Sequence, residues 1–135
     1  MNTTALHVPL RRVREYNHAH TVLRQVTEDV VQEWPSEVCR ITCIYRTMKE
    51  NIDAGAATTI HSVGPPYRAI DFGAAELGWD LVGKVADAIN AKWVYDPHRL
   101  GLQVAVSKKH GTGPHLHIQV HPATLRRVIY ENTNG

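Results

Sequence analysis

The segment "PHLHIQVH", Pro114 to His121, alternates a polar ring or amide with an aliphatic side chain at every second position. A period of two is the mark of extended backbone, whose successive side chains point to opposite faces. Leu116, Ile118 and Val120 therefore share one face, and His115, His117, Gln119 and His121 share the other. A strand with an aliphatic back and an imidazole-rich front demands a sheet that carries a core on one side and a polar cleft on the other.

The rest of the chain supplies what such a sheet needs. "YNHAHTVLRQVTEDVVQEWP" reads as an amphipathic helix, with Val22, Val26 and Val30 at i+4 spacing, Leu23 and Val31 widening the stripe, and Pro35 marking its end. "EVCRITCIYRT" reads as a strand from its β-branched content, and "YRAIDFG" as another after the turn chemistry of Gly64-Pro65-Pro66. Between them, Met48 to Ile60 reads as a loop with a short helical turn. Trp79 to Ala91 carries Leu81, Val82, Val85 and Ile89 at helical spacing. "GLQVAVSK" alternates Leu102, Val104 and Val106 against polar or small residues, and the tail reads as a short helix or turn. No repeat, low-complexity tract or linker interrupts this order. The expectation is one α+β domain over residues 1–135, with helices packed on a mainly antiparallel sheet.

Composition closes off several classes. A net charge of +2, with "RRVR" (Arg11 to Arg14) as the only basic cluster, argues against a nucleic-acid partner. No apolar run approaches the roughly 20 residues of a membrane span. The start, "MNTTALHVPLRRVREYN", lacks the apolar stretch of a secretory signal, so the expectation is synthesis in the cytoplasm without one. Cys39 and Cys43, on one strand, would share a face roughly 13 Å apart, beyond the ~7 Å that a disulfide bridges. They read as small, reduced, half-buried side chains.

The histidines sort by geometry. His18 and His20, placed on the first helix, would point about 200° apart and could not share a ligand. His115 and His117, on a strand, point the same way. Asp71 lies between Ile70 and Phe72; if those face the core, the carboxylate faces the cleft and needs a partner there. His61 precedes the Gly-Pro-Pro turn that could fold it back beside Asp71. Two histidines and a carboxylate are a common catalytic zinc set, with the fourth position left to water.

At these residues the chain resembles the superfamily that joins the lysostaphin-type peptidases, the D-Ala-D-Ala metallopeptidases and the hedgehog signalling domain. "HSVGPPYRAID" is similar to its first motif, with His61, Gly64, Ala69 and Asp71 as matches, and "GPHLHIQV" to its second. "ITCIYRT" looks like the strand that ends in a substrate-contacting arginine in the D-Ala-D-Ala group; Arg46 is its match. The resemblance spans roughly Ile41 to Val120. It departs from the family pattern in two places. Nine residues rather than six separate His61 from Asp71, and Pro114 stands where many members of that group carry a catalytic acid.

The resemblance implies a hedgehog/DD-peptidase-like fold and one Zn2+ per chain, held by His61, Asp71 and His117. It implies His115 as the catalytic proton acceptor or oxyanion partner, and Arg46 as the binder of a substrate carboxylate. The implied function is a monomeric zinc peptidase acting on peptidoglycan stem peptides, as a carboxypeptidase or endopeptidase, with a phage or prophage lysis enzyme as one setting. A zinc-binding interaction module without activity is the alternative. His110, on the loop "KKHGTG", reads as a solvated loop residue or as a further histidine that could reach the cleft.

Overall fold

The computed structural model describes residues 3–55, 59–107 and 113–128. In chain order the elements are β1 (Ala5–His7), α1 (Val13–Asn17), α2 (Thr21–Glu33), β2 (Val38–Cys43), α3 (Met48–Asp53), β3 (Ala69–Gly73), α4 (Gly78–Lys92), β4 (Trp93–Val94), β5 (Ala105–Ser107), β6 (His115–Gln119) and β7 (Leu125–Arg126). Short 3-10 turns cover Leu10–Arg12 and Ile60–Ser62. The main sheet has five strands in the order β1-β2-β3-β6-β5, and β4 pairs with β7 as a separate ribbon. Only β1 and β2 run parallel within it; the other pairings are antiparallel. The fold is α+β, as expected.

The core lies on one face of this sheet. Leu23, Val26 and Val30 of α2 and Val82, Val85 and Ile89 of α4 pack on Ile41, Ile70, Phe72, Leu116 and Ile118, all buried. Each such side chain removed from water contributes about 1.5–3 kcal/mol. The stripe of α2 and the aliphatic face of β6, including Val120, are thus used as the periodicity predicts.

Several local expectations are corrected. The first helix is broken. His18–His20 leave helical geometry because the backbone pairs there with Tyr67: His20 N–H donates to Tyr67 O (2.8 Å) and Tyr67 N–H to His18 O (3.2 Å). His20 then becomes the N-cap of α2, its Nδ1 accepting from Val22 N–H at 3.2 Å. The short helical turn expected within Met48 to Ile60 is present, as a helix over Met48–Asp53 with a Thr47–Glu50 capping box. Leu81, assigned to the stripe of α4, is exposed. The described part of the tail forms a strand, β7, because Trp93 and Val94 offer an edge to Arg126 and Leu125.

The strand parities of β2 and β5 also differ. β2 is bulged: Ile41 stands opposite Phe72, yet Cys43 stands opposite Asp71, so Thr42 is the extra residue. A bulge changes which face the following residues take. Cys39 and Ile41 stay in the core, Ile44 joins them, and Cys43 turns to the Asp71 side. The two cysteines are free and buried, but do not share a face. In β5, Ala105 pairs with Ile118 on the core side and Val106 with His117 on the other. Leu102, read in alternation with Val104 and Val106, is exposed.

Candidate metal centre

Opposite the core, β3 and β6 set Asp71 directly across from His117. Antiparallel register thus brings together two residues 46 apart in sequence, and His117 Nδ1 lies 2.8 Å from Asp71 Oδ1. Both side chains are buried despite lying on the non-core face.

His61 reaches the same oxygen from outside the sheet. Its 3-10 turn is stitched to the end of β2 by Arg46 N–H donating to His61 O (3.0 Å) and Ser62 Oγ donating to Arg46 O (2.9 Å). The Gly64-Pro65-Pro66 turn then carries the chain back into β3. Gly64 has φ +129°, and a Cβ there would stand 2.6 Å from Tyr67 Cδ1 and 2.9 Å from Pro66 O, so glycine is required. His61 Nε2 ends 3.2 Å from Asp71 Oδ1.

The protonation pattern of His61 is fixed by its other nitrogen. Nδ1 is 2.8 Å from the Ile44 carbonyl, which can only accept, so Nδ1 carries the proton. In the neutral ring, Nε2 is then a bare lone pair facing a carboxylate oxygen. It is also a buried nitrogen without a hydrogen-bond partner among the described residues. A bare lone pair beside an anion is unfavourable unless a proton or a metal ion lies between them.

The remaining atoms around Asp71 are cationic or soft. Arg46 Nη2 holds the second oxygen, Oδ2, at 3.2 Å; Nε of the same guanidinium donates to Cys43 Sγ at 3.2 Å, and Nη1 to Asn51 Oδ1 at 3.4 Å. Cys43 Sγ stands 3.8 Å from His61 Nδ1. Cys43, His61 and Asp71 each offer a ligand atom, all within 4.8 Å of one another, so this buried group could hold a metal ion. The described residues contain this donor set on one side of one carboxylate, with His117 bonded to that carboxylate.

Electrostatics agree with the geometry. Burial alone would raise the pKa of Asp71, but contact with the His117 and His61 imidazoles outweighs it and holds the carboxyl well below the usual carboxylate range. Burial would lower that of His61, and the neighbouring Asp71 carboxylate and Cys43 overcome it, raising the imidazole to about 10. The pocket holds a negative charge on Asp71 and attracts a positive one at His61 Nε2. A proton meets that demand in the metal-free protein, and a metal ion would displace it.

The other singled-out residues fall as follows. His115 is half-buried at the end of β6; its Nδ1 is 3.0 Å from the Gly113 carbonyl, and its ring lies edge-on to Trp79 at 6.2 Å. Arg46, expected to await a substrate carboxylate, has Asp71, Cys43 and Asn51 as partners. Pro114 O accepts from Ala74 N–H at 3.0 Å, tying the start of β6 to the end of β3. His110 lies outside the described residues. Cys43 was read as a packing residue; the bulge that aims it at His61 has no local sequence signal beyond the Arg46 motif nearby.

Comparison with protein families, with curated proteins and with solved structures finds no match to this chain. No helix among the described residues is long and apolar enough to cross a membrane.

Proposed function

We propose that this chain is a zinc metallopeptidase that hydrolyses peptide bonds of bacterial cell-wall peptidoglycan, of the D-Ala-D-Ala carboxypeptidase or endopeptidase type. Within the same proposal, its fold is of the hedgehog/DD-peptidase kind, and a phage or prophage lysis enzyme is its setting. The observation that carries the reading is the approach of His61 Nε2 and His117 Nδ1 to one oxygen of Asp71, at 3.2 and 2.8 Å.

The donor set fits zinc, which takes imidazole and carboxylate ligands and leaves a position open in catalytic sites. His61, Asp71 and His117 would hold it. When bound, zinc supplies Lewis acidity toward a carbonyl and acidifies a water for attack. Arg46 keeps Asp71 Oδ2 occupied, so Oδ1 is the oxygen turned toward both imidazoles. His115 donates its Nδ1 proton to the acceptor-only Gly113 carbonyl, which leaves Nε2 free to take a proton from an attacking water. The Trp79 ring lies edge-on beside that of His115 at 6.2 Å.

A second reading is a zinc-binding interaction module without activity. Cys43 favours it, because its thiol stands with His61 and Asp71 in the buried group that could hold an ion, and thiolate is a common ligand of structural zinc sites. Digestion of purified peptidoglycan, with fragments read by mass spectrometry with and without a chelator, tests both. The peptidase reading expects new termini that vanish on chelation and return with zinc. It also expects His115→Ala to lose turnover while retaining the ion. Activity that persists under chelation overturns the zinc mechanism.

A further inference from the structure

One group beside His117 is not used by the mechanism above. Gln119, two residues along β6 and on the same face, places Oε1 3.1 Å from His117 Nε2. Its Nε2 donates to the Gln103 carbonyl at 3.0 Å. Its backbone N–H donates to Val104 O at 2.9 Å, which holds this part of β6 against the chain entering β5.

The direction of this relay follows from elementary chemistry. A backbone carbonyl can only accept, so the amide NH2 must be the end of Gln119 that faces Gln103. The other end, Oε1, can then only accept from His117. The His117 Nε2 must carry a proton; the Asp71 carboxylate also only accepts, so in the metal-free protein Nδ1 donates to Oδ1, and the Nδ1 proton is the one a metal ion would displace. The Gln103 carbonyl, through one intervening side chain, thus decides which His117 proton is kept when an ion takes the place of the other. The Ile44 carbonyl does the same for His61, directly.

We propose that Gln119 is a positioning residue for the metal centre: anchored on the Gln103 carbonyl, it holds the His117 proton at Nε2 and turns the Nδ1 lone pair toward the ion. This rests on the zinc reading. An outer partner of a ligating histidine fixes ring orientation and raises its basicity, and its loss typically costs 10–100-fold in metal affinity. The acceptor is a side chain that a single substitution removes, unlike the backbone acceptor of His61.

The test uses the full chain and zinc alone. Zinc affinity is measured by competition with a chromophoric chelator for the parent protein, Gln119→Leu, Gln119→Val, Gln119→Glu and His117→Ala. The 15N shifts of the His117 ring are recorded in parallel. The expected result is a loss of roughly 10–100-fold in both the Leu and Val variants. Their His117 Nε2 resonance should lose the signature of a hydrogen-bonded N–H. Gln119→Glu, which keeps an acceptor for that N–H, should restore affinity. The Val variant suits a strand and guards against misfolding of the Leu variant. Parent-like affinity with unchanged His117 shifts in both apolar variants overturns the positioning role while the zinc site stands. A parent protein that takes up no zinc, with His117→Ala indistinguishable from it, overturns the zinc reading itself.

Discussion

The chain contains the pattern His-x-His twice, and the two copies have different fates. His18 and His20 lie where the backbone leaves α1 and pairs with Tyr67; His18 is exposed, its ring bonded to the Arg14 carbonyl at 2.8 Å, and His20 caps α2. His115 and His117 lie on β6, where the register with β3 sets a carboxylate against the second of them. Spacing alone is identical. What differs is whether a neighbouring strand supplies an anion opposite one imidazole and a carbonyl-anchored amide on its far side. A histidine pair becomes a donor set only when surrounding elements fix the tautomer and compensate the charge.

The comparison can be broken most strongly at the ligands. His117→Ala should weaken zinc binding by more than the roughly 100-fold ceiling of an outer-partner change, whereas His18→Ala should leave it at the parent value, as read by chelator competition. Equal effects of the two would erase the distinction. Arg46→Met sharpens it from the charge side. It strips the cation from a buried Asp71 and should destabilise the metal-free protein by about 3 kcal/mol, measured by urea unfolding, while zinc binding recovers part of that loss. A neutral outcome would mean that Asp71 is compensated without Arg46. The smallest effect belongs to the first pair: His20→Ala should cost about 0.5–1 kcal/mol, the value of a helix cap, with zinc affinity untouched.

Much of this arrangement is legible in residue order. Alternation in β6 places Leu116 and Ile118 in the core and leaves His117 on the opposite face, because a strand's side-chain period is insensitive to what surrounds it. The stripe of α2 is legible for the same reason at period 3.6. The cysteines show where such reading stops. Parity places Cys39 and Cys43 together, yet the extra residue at Thr42 sends Cys43 to the site and leaves Cys39 in the core, its thiol pushed up to about 12 by burial. A bulge depends on how two strands meet, so one strand's sequence does not announce it. The same holds for the break at His18–His20, which exists because Tyr67 arrives beside it, and for β7, which needs the edge of β4.

Residue order alone therefore determined the class of fold, the apolar faces of α2 and β6 and the candidate donors His61, Asp71 and His117. It did so because side-chain chemistry and backbone period are local properties. Only the tertiary structure decided that two imidazoles approach one carboxylate oxygen, that Arg46 holds the other, and that Cys43 stands beside them. Those are distances between residues far apart in the chain. They follow from strand register, a bulge and a stitched turn, which are settled by packing and hydrogen bonding across elements.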